Sequence, residues 1–121
     1  MIIVDTSIWI DHLRGIDSPL DDVLGSGLEM LHPFVHGELL LNGLPKRGAI
    51  AERLQGLKPA PLAASTDVAA FIVWAKLAGT GVGYVDSNLL VSAKMISGGC
   101  ILTQDRNLMI QAERLDLAYS P

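Results

Sequence analysis

The sequence predicts an α/β fold: a single domain with a mainly parallel central sheet flanked by helices on both faces. Three observations lead there. The runs MIIV at 1–4 and CILT at 100–103 are apolar at consecutive positions, the pattern of strands buried on both faces. Segments of helical apolar spacing alternate with such runs, which implies right-handed crossovers between parallel strands. Finally, the 121 residues are half apolar, enough for one domain to bury roughly two-thirds of its unfolded surface without disulfides or a structural metal.

The elements follow in order. After MIIV, Asp5 ends the strand, and Thr6 and Ser7 offer caps for a short helix in IWIDHLRG, closed by Gly15. Ser18-Pro19 opens a second short helix through Leu24, and LEML at 28–31 reads as a strand. Pro33 starts a helix over FVHGELLLNGL, so apolar that Glu38 is expected to be half-buried. A more polar, solvated helix is expected from Lys46 to Leu57. Ser65 is read as the cap of a long helix, TDVAAFIVWAKLAG, whose Val68, Phe71, Ile72, Trp74, Ala75 and Ala78 make it the expected main core helix. A glycine-rich turn at 79–83 leads to Asp86 at the entrance of the helix SNLLVSAKMISG, with Leu89, Leu90, Ala93 and Ile96 on one side. CILT is a buried strand, Asp105 precedes a helix with Leu108, Met109 and Ala112, and LDLAY at 115–119 is an expected edge strand.

Composition narrows function. Thirteen acids against nine Lys and Arg give a net charge of −4, which argues against binding polyanions by bulk attraction. A divalent cation held by four of the acids would change that, because the remaining nine balance the nine basic residues. One cysteine cannot form an internal disulfide, and MIIVD is no signal peptide, so the cytoplasm is the expected compartment. The longest apolar run, Val68 to Ala75, is far short of the roughly 20 residues of a membrane span.

Each acid alone has an ordinary explanation: a helix cap for Asp5 and Asp86, a turn for Asp105, a solvated helix position for Glu38. Together they are harder to dismiss. Two follow strands, where α/β sheets place their sites, one stands at a helix entrance, and one lies in an apolar helix where an unpaired carboxylate is costly. Such hard oxygen ligands suit Mg²⁺ or Mn²⁺ and phosphodiester hydrolysis. His32 and His36 have the spacing of a helical metal pair, but Pro33 biases His32 towards extended backbone, so packing or surface roles are expected. The glycines at 79–83 lack the Gly-Lys-Ser/Thr ending of a phosphate loop, and Cys100 reads as a small core residue.

The strings IIVDTSIWIDHL at 2–13, GELL at 37–40, Val85-Asp86 and ILTQD at 101–105 resemble the PIN-domain ribonucleases, especially VapC-type toxins, over nearly the whole chain. The resemblance implies a PIN-like fold and a Mg²⁺ or Mn²⁺ site, of one ion or two, built from Asp5, Glu38, Asp86 and Asp105, that cleaves RNA. It also implies that the Thr6 and Thr103 hydroxyls hold carboxylates in place. Ser87-Asn88 departs from the small residues common in the family, and Asn107 stands where many relatives carry another acid. A cognate antitoxin and a homodimer are implied as partners, with Arg14, Lys46, Arg47 and Arg53 as candidate contacts to RNA. The same residues bear on other readings. A phospho-acceptor receiver needs paired acids after its first strand and a dehalogenase-type phosphatase a second Asp at position 7, where Thr6 and Ser7 stand instead. A PIN-like binding module without catalysis would not need all four acids.

Overall fold

A computed structural model describes residues 1–44 and 48–121. Four short parallel strands form the sheet: β1 (Ile2–Val4), β2 (Glu29–Leu31), β3 (Lys58–Pro59) and β4 (Cys100–Leu102), in the order β3-β2-β1-β4. β1 is central, and Ile3 pairs with Met30 on one side and Ile101 on the other. Its three residues are all buried, as a strand covered on both faces requires. The helices are α1 (Thr6–Leu13), α2 (Pro33–Leu41), α3 (Ala49–Gln55), α4 (Ser65–Trp74), α5 (Tyr84–Lys94) and α6 (Arg106–Arg114). α1 packs with α2 and α4 with α5, while α5 also meets β1 and β4. Right-handed crossovers put the first pair on one face and the second on the other, because the chain steps outward from β1 to β3 and then returns across the sheet to β4.

Several expectations are corrected. The helix expected from Ser18-Pro19 to Leu24 is a single 3-10 turn over Pro19–Asp22, held by a Ser18 capping box. The polar helix is shorter than expected: α3 starts after Gly48, and the expected start at Lys46 lies outside the described residues. Its inner face buries Ala51 and Leu54. β3 was not anticipated, because two residues, Lys58 and Pro59, carry no strand pattern; proline is tolerated there because β3 is an edge. LDLAY contributes only one bridge, Ile101 to Ala118, parallel to β4.

The largest correction concerns the core helix. Ser65 lies inside α4, the cap position is Ala64 with no side-chain bond, and Trp74 is 62% exposed. The central helix is α5, in which every residue from Ser87 to Ala93 is buried. Gly99 lets β4 follow α5 at once: a side chain there would collide with the Ala93 carbonyl and with Ile96. Cys100, partly buried, packs against the core. His32 is extended and buried, as its proline neighbour implies, and caps α2 through Nδ1. No helix among the described residues is long and apolar enough to cross a membrane.

Candidate active site

The order of the strands reverses between β1 and β4, and α/β sheets open a crevice at such a point beyond the carboxyl ends of their strands. Asp5 leaves β1 at that edge. Its backbone N–H donates to the Leu102 carbonyl at 2.9 Å, extending the ladder one step before the chain turns into α1. The carboxylate is held from two sides: Oδ1 accepts from the Thr6 N–H at 2.8 Å and Oδ2 from the Thr103 hydroxyl at 2.7 Å. The cap reading and the site reading of Asp5 therefore coexist, since the side chain starts α1 and remains anchored at the crevice.

Thr103, just beyond β4, also accepts from the Asp105 N–H at 3.0 Å, so one hydroxyl spans the gap between the two strand-end acids. Asp105 in turn caps α6, accepting from the Leu108 N–H at 2.9 Å. Glu38, half-buried on α2, accepts from the Thr6 hydroxyl at 2.9 Å. Asp86 is the third residue of α5. Asp5, Glu38, Asp86 and Asp105 all line one cleft of 480 Å³, together with Thr6, Ser7, Ile10, Asn42, Gly83, Tyr84 and Val85.

Charge is the dominant property of this cleft. The Asp86 carboxyl is pushed up from 3.8 to about 6, first by burial and then by the negative charges of Asp5, Asp105 and Glu38; a backbone hydrogen bond at Gly83 opposes the shift. No Lys or Arg among the described residues lines the cleft to neutralise it. Among those residues, no three His, Cys, Asp or Glu side chains stand close enough to enclose an ion by themselves. Mg²⁺ commonly takes one or two carboxylates and keeps waters and substrate phosphate for its other positions, so an open, all-oxygen, electron-rich cleft fits a hydrated Mg²⁺ or Mn²⁺ ion.

The remaining candidates are dispersed. Arg14 lines a groove with Leu13, Leu39 and Gly43 that shares Ile10 and Asn42 with the acidic cleft, so it stands near the cleft's rim. Arg53 lines the next groove along, with Trp9 and His12, away from the acids. Lys46 and Arg47 lie outside the described residues. Asn107 does not line the cleft; it packs where any side chain at Gly81 would collide with its amide, beside the turn that leads into α5. Ser87 and Asn88 turn inward, donating to the carbonyls of Gly83 and Tyr84 within their own helix. Sequence reasoning passed over Tyr84, whose only signal was its place two residues before Asp86.

No model of a known protein family matches the chain. Over 108 residues it is 37% identical to a protein named Ribonuclease VapC32 in Mycobacterium tuberculosis, both in strain CDC 1551 / Oshkosh and in strain ATCC 25618 / H37Rv, covering 89% of this chain and 87% of each relative. With that identity over nearly the full length of both proteins, the chain belongs to the VapC family of ribonucleases.

Proposed function

We propose that this protein is an endoribonuclease that hydrolyses RNA phosphodiester bonds with Mg²⁺ or Mn²⁺, and that it is the toxin of a type II toxin–antitoxin pair. The observation that carries the chemistry is the convergence of Asp5, Glu38, Asp86 and Asp105 on one cleft that no Lys or Arg among the described residues lines; burial first, and then the other three carboxylates, push the Asp86 carboxyl up. A divalent ion bound there would polarise a water and offset charge on the scissile phosphate. The chain's own residues prepare that place. Thr6 and Thr103 hold Glu38 and Asp5 by their hydroxyls, so the acceptors keep their positions without reorganising when substrate arrives. Burial and the neighbouring carboxylates raise the Asp86 carboxyl, and a cation held in the cleft would favour its charged form.

The phospho-acceptor reading loses its support from family membership, and a non-catalytic module has no need of carboxylates held in this way. We also propose a homodimer, supported by the adjacent exposed apolar side chains of Val73 and Trp74 on α4, and an antitoxin segment that inserts an Arg or Lys among the acids, where its charge would replace that of the ion. Sedimentation at high micromolar concentration tests the dimer. The activity is tested with partner-free protein and cellular RNA: cleavage within the chain is expected with Mg²⁺ or Mn²⁺ and none in EDTA. Undiminished cleavage in EDTA would contradict the proposal.

A further inference from the structure

We infer that the ring of Tyr84 is a nucleobase-stacking subsite, taking an unpaired base of the RNA beside the bond to be cleaved. The inference rests on the ribonuclease reading and adds to it the means by which an acidic cleft grips a polyanion. Tyr84 opens α5 and lines the cleft, 55% exposed. The rest of that helix explains why this is unusual: from Ser87 to Ala93 every residue is buried, so α5 contributes to the core along most of its length while its one aromatic side chain is left in solvent at the cleft.

Residues two apart on a helix point to different sides, yet both Tyr84 and Asp86 line the cleft. The cleft therefore takes in the whole start of α5, from Gly83 through Asp86, with the exposed Tyr84 next but one to the carboxylate-bearing residue. A nucleotide laid across that end can place its phosphate towards the acids and its base against the ring. The other exposed indole or phenol invites no such role: the face of Trp74 is covered by the Lys94 ammonium, 4.6 Å from the ring centroid, and Tyr119 is partly buried against the core.

Electrostatics gives the ring its importance. Among the described residues no Lys or Arg lines the cleft, so apart from the proposed divalent ion the side chains there offer the phosphates no attraction by charge. Stacking on a neutral ring is indifferent to that charge and tolerant of sequence, since every base has a face to offer. It does require the base to be out of a duplex, so the substrate class is RNA unpaired at the cleaved position, such as a loop.

The test uses Asp5→Asn protein, to prevent cleavage, and short single-stranded RNAs carrying 2-aminopurine at successive positions. Binding is expected to quench the fluorophore at one position. Adding Tyr84→Ala is expected to abolish that quench and weaken affinity by about 5- to 150-fold, the range for one stacked base, while Tyr84→Phe regains both because it keeps the ring. A duplex of the same sequence is expected to show no quench. If Tyr84→Ala binds and quenches as its parent does, the subsite is wrong and the ribonuclease reading is untouched. If the parent binds these RNAs at low salt with no position quenched, the subsite is likewise wrong, while cleavage of cellular RNA by the wild type with Mn²⁺ decides the ribonuclease reading separately.

Discussion

His32 and Asp86 stand at the starts of α2 and α5, the same two helices that frame the acidic cleft, and burial displaces their protonation in opposite senses. His32 is fully buried. Its Nδ1 accepts from the Phe34 N–H at 3.0 Å, which leaves the ring proton on Nε2, 3.0 Å from the Ser92 hydroxyl; that hydroxyl donates to the Pro61 carbonyl at 2.6 Å. Every polar atom of this relay has a partner, and burial pushes the histidine down from 6.5 to about 4, so it stays neutral. At the cleft the acids have partners for position but, among the described residues lining it, none for charge, and Asp86 moves up to about 6. One polar cluster is closed and serves the fold, binding α2 to α5; the other is left unsatisfied in charge, which is expected of a site reserved for something that arrives from solution.

The widest separation between the two regions is expected in activity. Asp5→Asn and Glu38→Gln change one charge each at positions already tied by hydrogen bonds, so the fold should persist while RNA cleavage falls by a hundredfold or more, roughly the scale of lost transition-state stabilisation. Single-turnover cleavage checks this. His32→Ala reverses the pattern. It removes a cap, takes from the Ser92 oxygen the N–H it accepts and opens a cavity, at a cost of about 2–4 kcal/mol, or roughly 8–15 °C in Tm, by thermal melting in EDTA.

The pH dependence of stability puts the two groups in direct opposition. Between pH 4 and 6.5 the unfolded state holds more protons on His32 than the folded state does, so this group's contribution rises with pH and is lost as pH falls through about 4. Asp86 does the reverse: between 3.8 and about 6 the folded state holds the extra proton, so its contribution is greatest in acid and is lost as pH rises through about 6. The Asp86 displacement corresponds to roughly 3 kcal/mol before solvent screening and about 1–2 after it. Relative to wild type without metal, Asp86→Asn should therefore make Tm climb more steeply over this window, and His32→Asn, which retains a cap, should make it climb less. Melts at half-unit pH intervals compare the slopes.

The smallest effect concerns the arginines. Arg14 near the rim should contribute a few-fold to RNA affinity and Arg53, a groove away, less. With two to four phosphate contacts, the log–log salt dependence for the silenced protein should have a slope of roughly −1.5 to −3. Filter binding across salt concentrations checks both.

What was legible in the sequence divides along the same line. β1 and β4 announce themselves as β-branched or apolar runs ending in polar residues, and those endings are Asp5 and the Thr103-to-Asp105 segment of the cleft. Glu38 is conspicuous because its surroundings are apolar. The closed relay was illegible, since His32 and Ser92 are 60 residues apart and nothing local connects them. The exchange of roles between α4 and α5 has a similar origin. Ser87, Asn88 and Ser92 look like surface letters, but their side chains satisfy themselves on carbonyls of α5's own first turn or on Pro61, which allows a polar-looking helix to be the most buried one. α4 has the more apolar sequence and lies outside it, leaving Val73 and Trp74 in solvent.

The central claim is that the four carboxylates form one site for a divalent cation, and the thermal response to Mn²⁺ tests it most directly. The wild type should gain several degrees in Tm as Mn²⁺ is raised well above its dissociation constant, because a ligand of the folded state alone stabilises it by about 2.7 kcal/mol at a hundredfold excess over Kd. Asp5→Asn, relieved of one repelling charge, should melt at or above the wild type in EDTA and lose most of the Mn²⁺ response. An equal response in Asp5→Asn would contradict the account, since a residue that only caps α1 is replaced by Asn with little change.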